Sequence, residues 1–158
     1  MTREEFASRL QLCRKRLYIA ALSVTKNRED AEDALSNATL RALKRYKDFT
    51  DTGKFDAWML TATMNEARRL RSSKRYFENA DELYDVLDED GTAEGNVVFF
   101  DMLTSAGLGV RCRKVFIMKF LYGYTFDEIA SLLRIPASTV RSEYYRGLDK
   151  LKKAEGLK

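Results

Sequence analysis

Polar side chains crowd the short stretch 138–146, among them Ser138, Thr139, Arg141, Ser142, Tyr145 and Arg146. An arginine fork holds a guanine edge through two hydrogen bonds, worth about 1–3 kcal/mol of discrimination. Serine and threonine hydroxyls suit phosphate oxygens. These residue types therefore fit contact with a nucleic acid, and the alternative is a helical hairpin with a polar outer face. A second group, Asn65, Arg68, Arg69, Arg71, Lys74 and Arg75, would by itself be a solvated helix face. Catalytic chemistry finds less support. The chain has no histidine, which removes His-based nucleophile activation and His–metal sites. Cys13 and Cys112 are far apart and lack a ligand-like spacing, so neither a zinc site nor a disulfide framework is expected. No pair of acids stands out, and we expect no enzyme activity, no metal and no cofactor.

The first polar group needs a helix to present it, and the surrounding sequence supplies one. Thr125-x-x-Glu128 forms a capping box that opens a short helix with Ile129, Ala130 and Leu133 as its buried stripe. Arg134-Ile135-Pro136 makes the turn, and a proline at a helix start costs no hydrogen bond. Val140, Tyr144, Leu148 and Leu151 recur at helical spacing and form the buried face of the next helix. Two short helices, a tight turn and the small Ala130 near their crossing predict a helix-turn-helix. Before it, a helix is expected over Val97–Leu103 and another over Val110–Leu121, with Val115, Phe116, Met118 and Leu121 buried. Gly123 interrupts.

The N-terminal half reads the same way. Thr2 with Glu5 is a second capping box. Asn27 is a good N-cap, followed by Glu29 and Asp30 where the helix dipole favours acids. Ala31, Ala34, Leu35, Ala38 and Ala42 form a narrow stripe of mostly small residues. A third helix follows Gly53 and carries Phe55, Trp58, Met59 and Ala62 on a buried face. The fold class expected is all-α.

Charge divides the chain further. Residues 1–75 hold 17 Lys and Arg against 10 Asp and Glu, residues 76–101 hold none against 9, and residues 102–158 hold 11 against 5. One basic block is an ordinary solvated surface. Two blocks, each ending on a helix, point to a polyanionic partner. The acidic stretch between them, rich in charge and poor in apolar residues, reads as a flexible linker. The domains expected are 1–75, a linker over 76–95, and 96–158. About twenty extended residues reach roughly 65 Å. No apolar run is long enough to span a bilayer and no signal peptide is evident. The expected compartment is the cytoplasm, with no membrane insertion.

Taken together, these motifs resemble the sigma factors of bacterial RNA polymerase, in particular the extracytoplasmic-function (ECF) group. Asn27-Arg-Glu-Asp-Ala-Glu-Asp-Ala-Leu35 resembles the region 2 signature. Phe55-Asp-Ala-Trp58, Asn65-Glu66 and the arginines after it resemble the helix that follows. Tyr124-Thr-Phe-Asp-Glu-Ile-Ala130 and Pro136-Ala-Ser-Thr-Val-Arg-Ser142 resemble the helix-turn-helix of region 4. The resemblance implies a region 2-like bundle and a region 4-like domain, with core RNA polymerase (the clamp helices and flap) and promoter DNA as partners. Asp30, Glu32, Asp33, Ser36, Asn37 and Arg41 would face polymerase. Asn65 would lie near the −10 base pocket, with Arg68, Arg69, Arg71, Lys74 and Arg75 tracking the separated strand. Ser138, Thr139, Arg141, Ser142, Tyr145 and Arg146 would read the −35 element. The acidic linker could mimic nucleic acid in the polymerase cleft or be a mere tether, and an anti-sigma partner is left open. The chain departs from the usual pattern at Ser36-Asn37 (commonly Gln-Glu), at Arg69 (Asp in some members) and at Glu143 (Arg in many). The rival classes are a stand-alone DNA-binding regulator using only residues 102–158 and a helical scaffold that binds no DNA. Residues 27–75 discriminate, because only a sigma subunit needs both an acidic helix face and Asn65 followed by a basic tail.

Overall fold

The computed structural model describes residues 1–71, 103–104 and 107–154. Every regular element among them is helical, and the chain divides into two compact units, Met1–Glu78 and Asn79–Lys158. The expected linker, its acids, Lys74, Arg75 and nearly all of the helix expected over Val97–Leu103 lie outside the described residues.

In the first unit three helices pack against one another: α1 (Arg3–Thr25), α2 (Arg28–Leu43) and α3 (Thr52–Leu70). Local chemistry sets their starts. Thr2 and Glu5 exchange the two hydrogen bonds of a capping box. Asn27 Oδ1 accepts from the Asp30 amide at 2.9 Å, and Asp51 Oδ1 accepts from the Lys54 amide at 2.8 Å. The helix expected after Gly53 thus begins at Thr52, because Asp51 is the capping side chain. α1 ends at Lys26, whose φ of 52° turns the chain into the Asn27 cap.

Packing follows from the narrow stripe. Ala31, Ala34, Leu35, Ala38 and Ala42 are all buried, so α2 approaches its neighbours closely. A short 3-10 turn, Tyr46–Asp48, joins α2 to α3. It delivers Phe49 into an aromatic cluster, edge-on to Phe55 at 5.4 Å and to Trp58 at 5.5 Å, while Phe6 of α1 meets Phe55 at 5.7 Å. Trp58 is half-buried, unlike Phe55 and Met59. The guanidinium groups of Arg41 and Arg45 lie 5.7 and 5.5 Å from its ring centre. Beneath this cluster Arg9 forms a two-bonded ion pair with Asp56, whose side chain is 1% exposed.

The second unit has α4 (Val110–Phe120), α5 (Phe126–Leu133) and α6 (Ala137–Ala154). Val115, Phe116, Ile117 and Met118 fill its core together with Ile129, Val140 and Leu151. Leu121, Leu133, Tyr144 and Leu148 are half-buried and line its edge. Gly123 takes a φ of 78°, a conformation that a side chain would strain. The Thr125–Glu128 capping box then starts α5. The backbone hydrogen bond to Glu128, then that from the Thr125 side chain, hold the Glu128 carboxyl below its ordinary range. Arg134, at φ 58°, ends α5, and its amide donates to the Ala130 carbonyl. The Pro136 carbonyl accepts from Thr139 and Val140 as α6 begins. Ala130 is buried, and a second close approach, between α4 and α6, lies at Gly147. A Cβ on Gly147 would come within 2.5 Å of Phe116 Cε2 and 2.6 Å of Cys112 Sγ.

Candidate nucleic-acid interface

α5 and α6 with their three-residue turn, Arg134 to Pro136, present the polar group at 138–146 on the outside of α6. Ser138, Arg141, Ser142, Tyr145 and Arg146 are exposed, and Thr139 is half-buried. Burial of Val140 and Leu151 and partial burial of Tyr144 and Leu148 fix which side of the helix faces out. Arg141, Ser142, Tyr145, Arg146 and Asp149 line an open hollow of about 530 Å³. Tyr145 is 60% exposed, and its ring meets Tyr144 edge-on at 5.2 Å and lies 6.5 Å from Phe126. Arg141 pairs with Asp127 of α5 at 3.5 Å, both side chains at least half exposed. Such a pair is weak and salt-screened, so it does little to hold the Arg141 guanidinium. Arg146 donates to the Ser142 carbonyl and to Glu143 Oε1. The Glu143 charge, unwelcome near phosphates, is therefore partly offset inside the helix.

The first unit carries a second exposed surface. On the outer side of α2, Glu32, Asp33, Ser36 and Arg41 are exposed, and Asp30 and Asn37 are half-buried. Leu40 (59% exposed) and Leu43 (44%) stand on the same helix. On α3, Asn65, Arg68, Arg69 and the C-cap residue Arg71 are exposed. Asn65 Oδ1 accepts from Arg68 Nη2 at 3.1 Å. Arg69 donates twice to Glu66 Oε2, at 3.1 and 2.7 Å. Arg41 reaches the other Glu66 oxygen at 3.5 Å. The hydrogen bond from Arg69 holds the Glu66 carboxyl below its ordinary range, helped by the Arg69 charge, a hydrogen bond from Asn37 and the Arg41 charge, while burial opposes.

The sequence reading gave no role of their own to Leu40, Leu43, Glu66 and Gly147. Leu40 was legible, because it falls two residues, some 200° around a helix, from the buried Ala38 and Ala42. Glu66 was quoted only as part of a motif, and two of its partners, Asn37 and Arg41, come from another helix. Among the described residues no group of three His, Cys, Asp or Glu side chains could hold a metal ion. No described helix is long and apolar enough to cross a membrane.

Comparison with known families separates the readings. The family model of Sigma-70 region 2 matches residues 10–76, and that of Sigma-70, region 4 matches residues 106–151. The chain belongs to the sigma-70 family. As a sigma factor it recognises promoters and directs transcription initiation. The chain is similar to the ECF RNA polymerase sigma factor SigW of Bacillus subtilis (strain 168), with 24% identity over 95% of this chain and 88% of that protein. It is also similar to the ECF RNA polymerase sigma factor SigX of the same strain, with 25% identity over 87% of this chain and 76% of that protein. The region 2 match spans most of α1 and all of α2 and α3, and the region 4 match spans α4, α5 and most of α6. A regulator confined to residues 102–158 leaves the first of these matches without a purpose.

Proposed function

We propose that this sigma factor docks on core RNA polymerase through the outer face of α2 and grips the promoter at two places. α3 engages the −10 element, and α6 lies in the major groove of the −35 element. The observation that carries this reading is the pairing of a region 2 match and a region 4 match, in that order, each enclosing a helix with an exposed polar and basic face.

The residue roles follow from exposure and chemistry. Asp30, Glu32, Asp33, Ser36 and Asn37 offer acceptors and donors to the polymerase clamp helices, and Leu40 and Leu43 add apolar area that is otherwise left in water. Arg41 serves the same surface from its place between Trp58 and Glu66. Asn65 offers an amide to an unstacked base edge, and Arg68, Arg69 and Arg71 follow the single strand electrostatically. Lys74 and Arg75 extend that basic run in the sequence. Ser138, Thr139, Arg141, Ser142, Tyr145 and Arg146 supply phosphate and base contacts at −35, while the second unit also meets the polymerase flap. In this reading polymerase performs all of the chemistry, the protein works in the cytoplasm, and an anti-sigma factor is a further partner.

Run-off transcription tests the proposal. Purified chain is added to core polymerase on a pool of genomic promoters. Start sites absent from core polymerase alone are the expected result. A folded chain that neither associates with core polymerase nor changes where RNA synthesis starts would overturn it.

A further inference from the structure

Glu66 lies where the α2 face meets the α3 face. Its side chain is 13% exposed, whereas Arg41 and Arg69 are 55% and 62% exposed. One carboxylate oxygen takes two donors from Arg69, and the other faces Arg41. Asn37 adds a hydrogen bond from α2, and Arg41 is steadied over Trp58. A lone surface ion pair contributes little. This carboxylate differs, because it is mostly withdrawn from water and collects donors from two helices.

The geometry matters for DNA. A guanidinium uses the same donor fork for a carboxylate as for a phosphate. The two donors that Arg69 commits to Glu66 are thus those a backbone phosphate would take. Arg68 differs, since its partner Asn65 is a neutral amide, and a neutral acceptor is held more weakly than a charged one. We infer that Glu66 is an internal stand-in for phosphate that withholds Arg69 from DNA in the unbound chain and so brakes engagement of single-stranded DNA by α3. The inference rests on the assignment of α3 to the −10 strand. It deepens that assignment by separating an available arginine, Arg68, from a restrained one, Arg69.

The test uses the full chain without polymerase and a fluorescent twelve-nucleotide oligothymidylate, with affinity measured from 50 mM to 300 mM salt. Glu66→Gln preserves side-chain volume and an acceptor for Asn37 while removing the charge. It should tighten binding about fivefold to tenfold at the lowest salt and steepen the log–log salt slope by about 0.7, the value of one more single-strand phosphate contact. The gain should shrink to about twofold or less when Glu66→Gln is made in an Arg69→Gln chain, since coupled residues do not add. Equal tightening in both backgrounds would reveal only the field of a carboxylate and would overturn the inference, as would a Glu66→Gln chain that binds no more tightly than the parent. Matching circular dichroism spectra confirm that the variants are folded. Run-off transcription by the parent separates the levels. If the parent redirects initiation while Glu66→Gln leaves binding unchanged, this inference alone fails. If the parent has no effect on initiation, the assignment of α3 beneath it fails.

Discussion

Cys13 donates its thiol hydrogen to Asp56 Oδ1 at 3.3 Å, on the carboxylate that Arg9 also grips. Burial, and then the Asp56 charge, push its pKa up to about 11 against the opposing charges of Arg9 and Arg16. Cys112 reaches about 11 by the same route, through burial and then the Glu143 charge. The thiolate is the reactive form, and at pH 8 only about one thiol in a thousand is ionised at such a pKa. The native chain treated with iodoacetamide at pH 8 should therefore stay unmodified by mass spectrometry while a free thiol is consumed, and both sites should react once urea unfolds it. Native labelling at the free-thiol rate would show that the thiols are not sealed. The sign of the pH effect follows. Both groups hold their protons more tightly in the folded chain, so their contribution to stability is whole below about pH 9 and is lost as the pH rises towards 11. Little of this was legible beforehand. The wide spacing of the cysteines argued against a disulfide or zinc, but the pairing of Cys13 with Asp56 joins residues on two helices and leaves no local trace.

Helix starts were legible because capping is local chemistry. Thr2 with Glu5, Asn27, and Thr125 with Glu128 each place acceptor and amide within three residues. Helix crossings were not, because they depend on the partner. Trp58 carries the apolar spacing of a core residue, yet two arginines from outside its helix cover its open face. Gly147 shows the same limit. A glycine inside a helix usually costs about 1 kcal/mol relative to alanine, so Gly147→Ala would be expected to stabilise α6. Its new Cβ would instead press on Cys112 and on Phe116, whose ring already packs 5.9 Å from Phe120 and 5.3 Å from Tyr144. Overpacking of this kind costs about 1–3 kcal/mol and outweighs the propensity gain. Gly147→Ala should lower the urea midpoint read by far-UV circular dichroism, the suitable probe because the chain's one tryptophan, Trp58, belongs to the other unit. Adding Cys112→Ala should recover part of the loss. An unchanged midpoint for Gly147→Ala would mean that the crossing has slack.

At the scale of the whole chain, the proposed −10 and −35 surfaces lie in different units, and residues 76–101 hold nine acids and no lysine or arginine. Two modest contacts made by one chain act together, because the first raises the effective concentration of the second. Losses at the two contacts should then combine as independent terms. Asn65 and Arg141 lie in different units, and their described partners, Arg68 and Asp127, are different residues. Arg141→Ala removes one arginine from the −35 surface and should cost about 1–3 kcal/mol on promoters with the preferred base pair. Asn65→Ala should weaken strand opening more than initial binding. For sites without shared partners the double variant should equal the two single losses added to within about 0.5 kcal/mol. The quantity to measure is the overall equilibrium constant for open-complex formation with core polymerase at fixed salt. Salt must be fixed because phosphate contacts, which the proposal gives to both surfaces, weaken steeply with it. A double variant no worse than its weaker parent would mean that the two surfaces do not hold one promoter at the same time, and the paired grip would have to be abandoned even if each surface still touched DNA by itself.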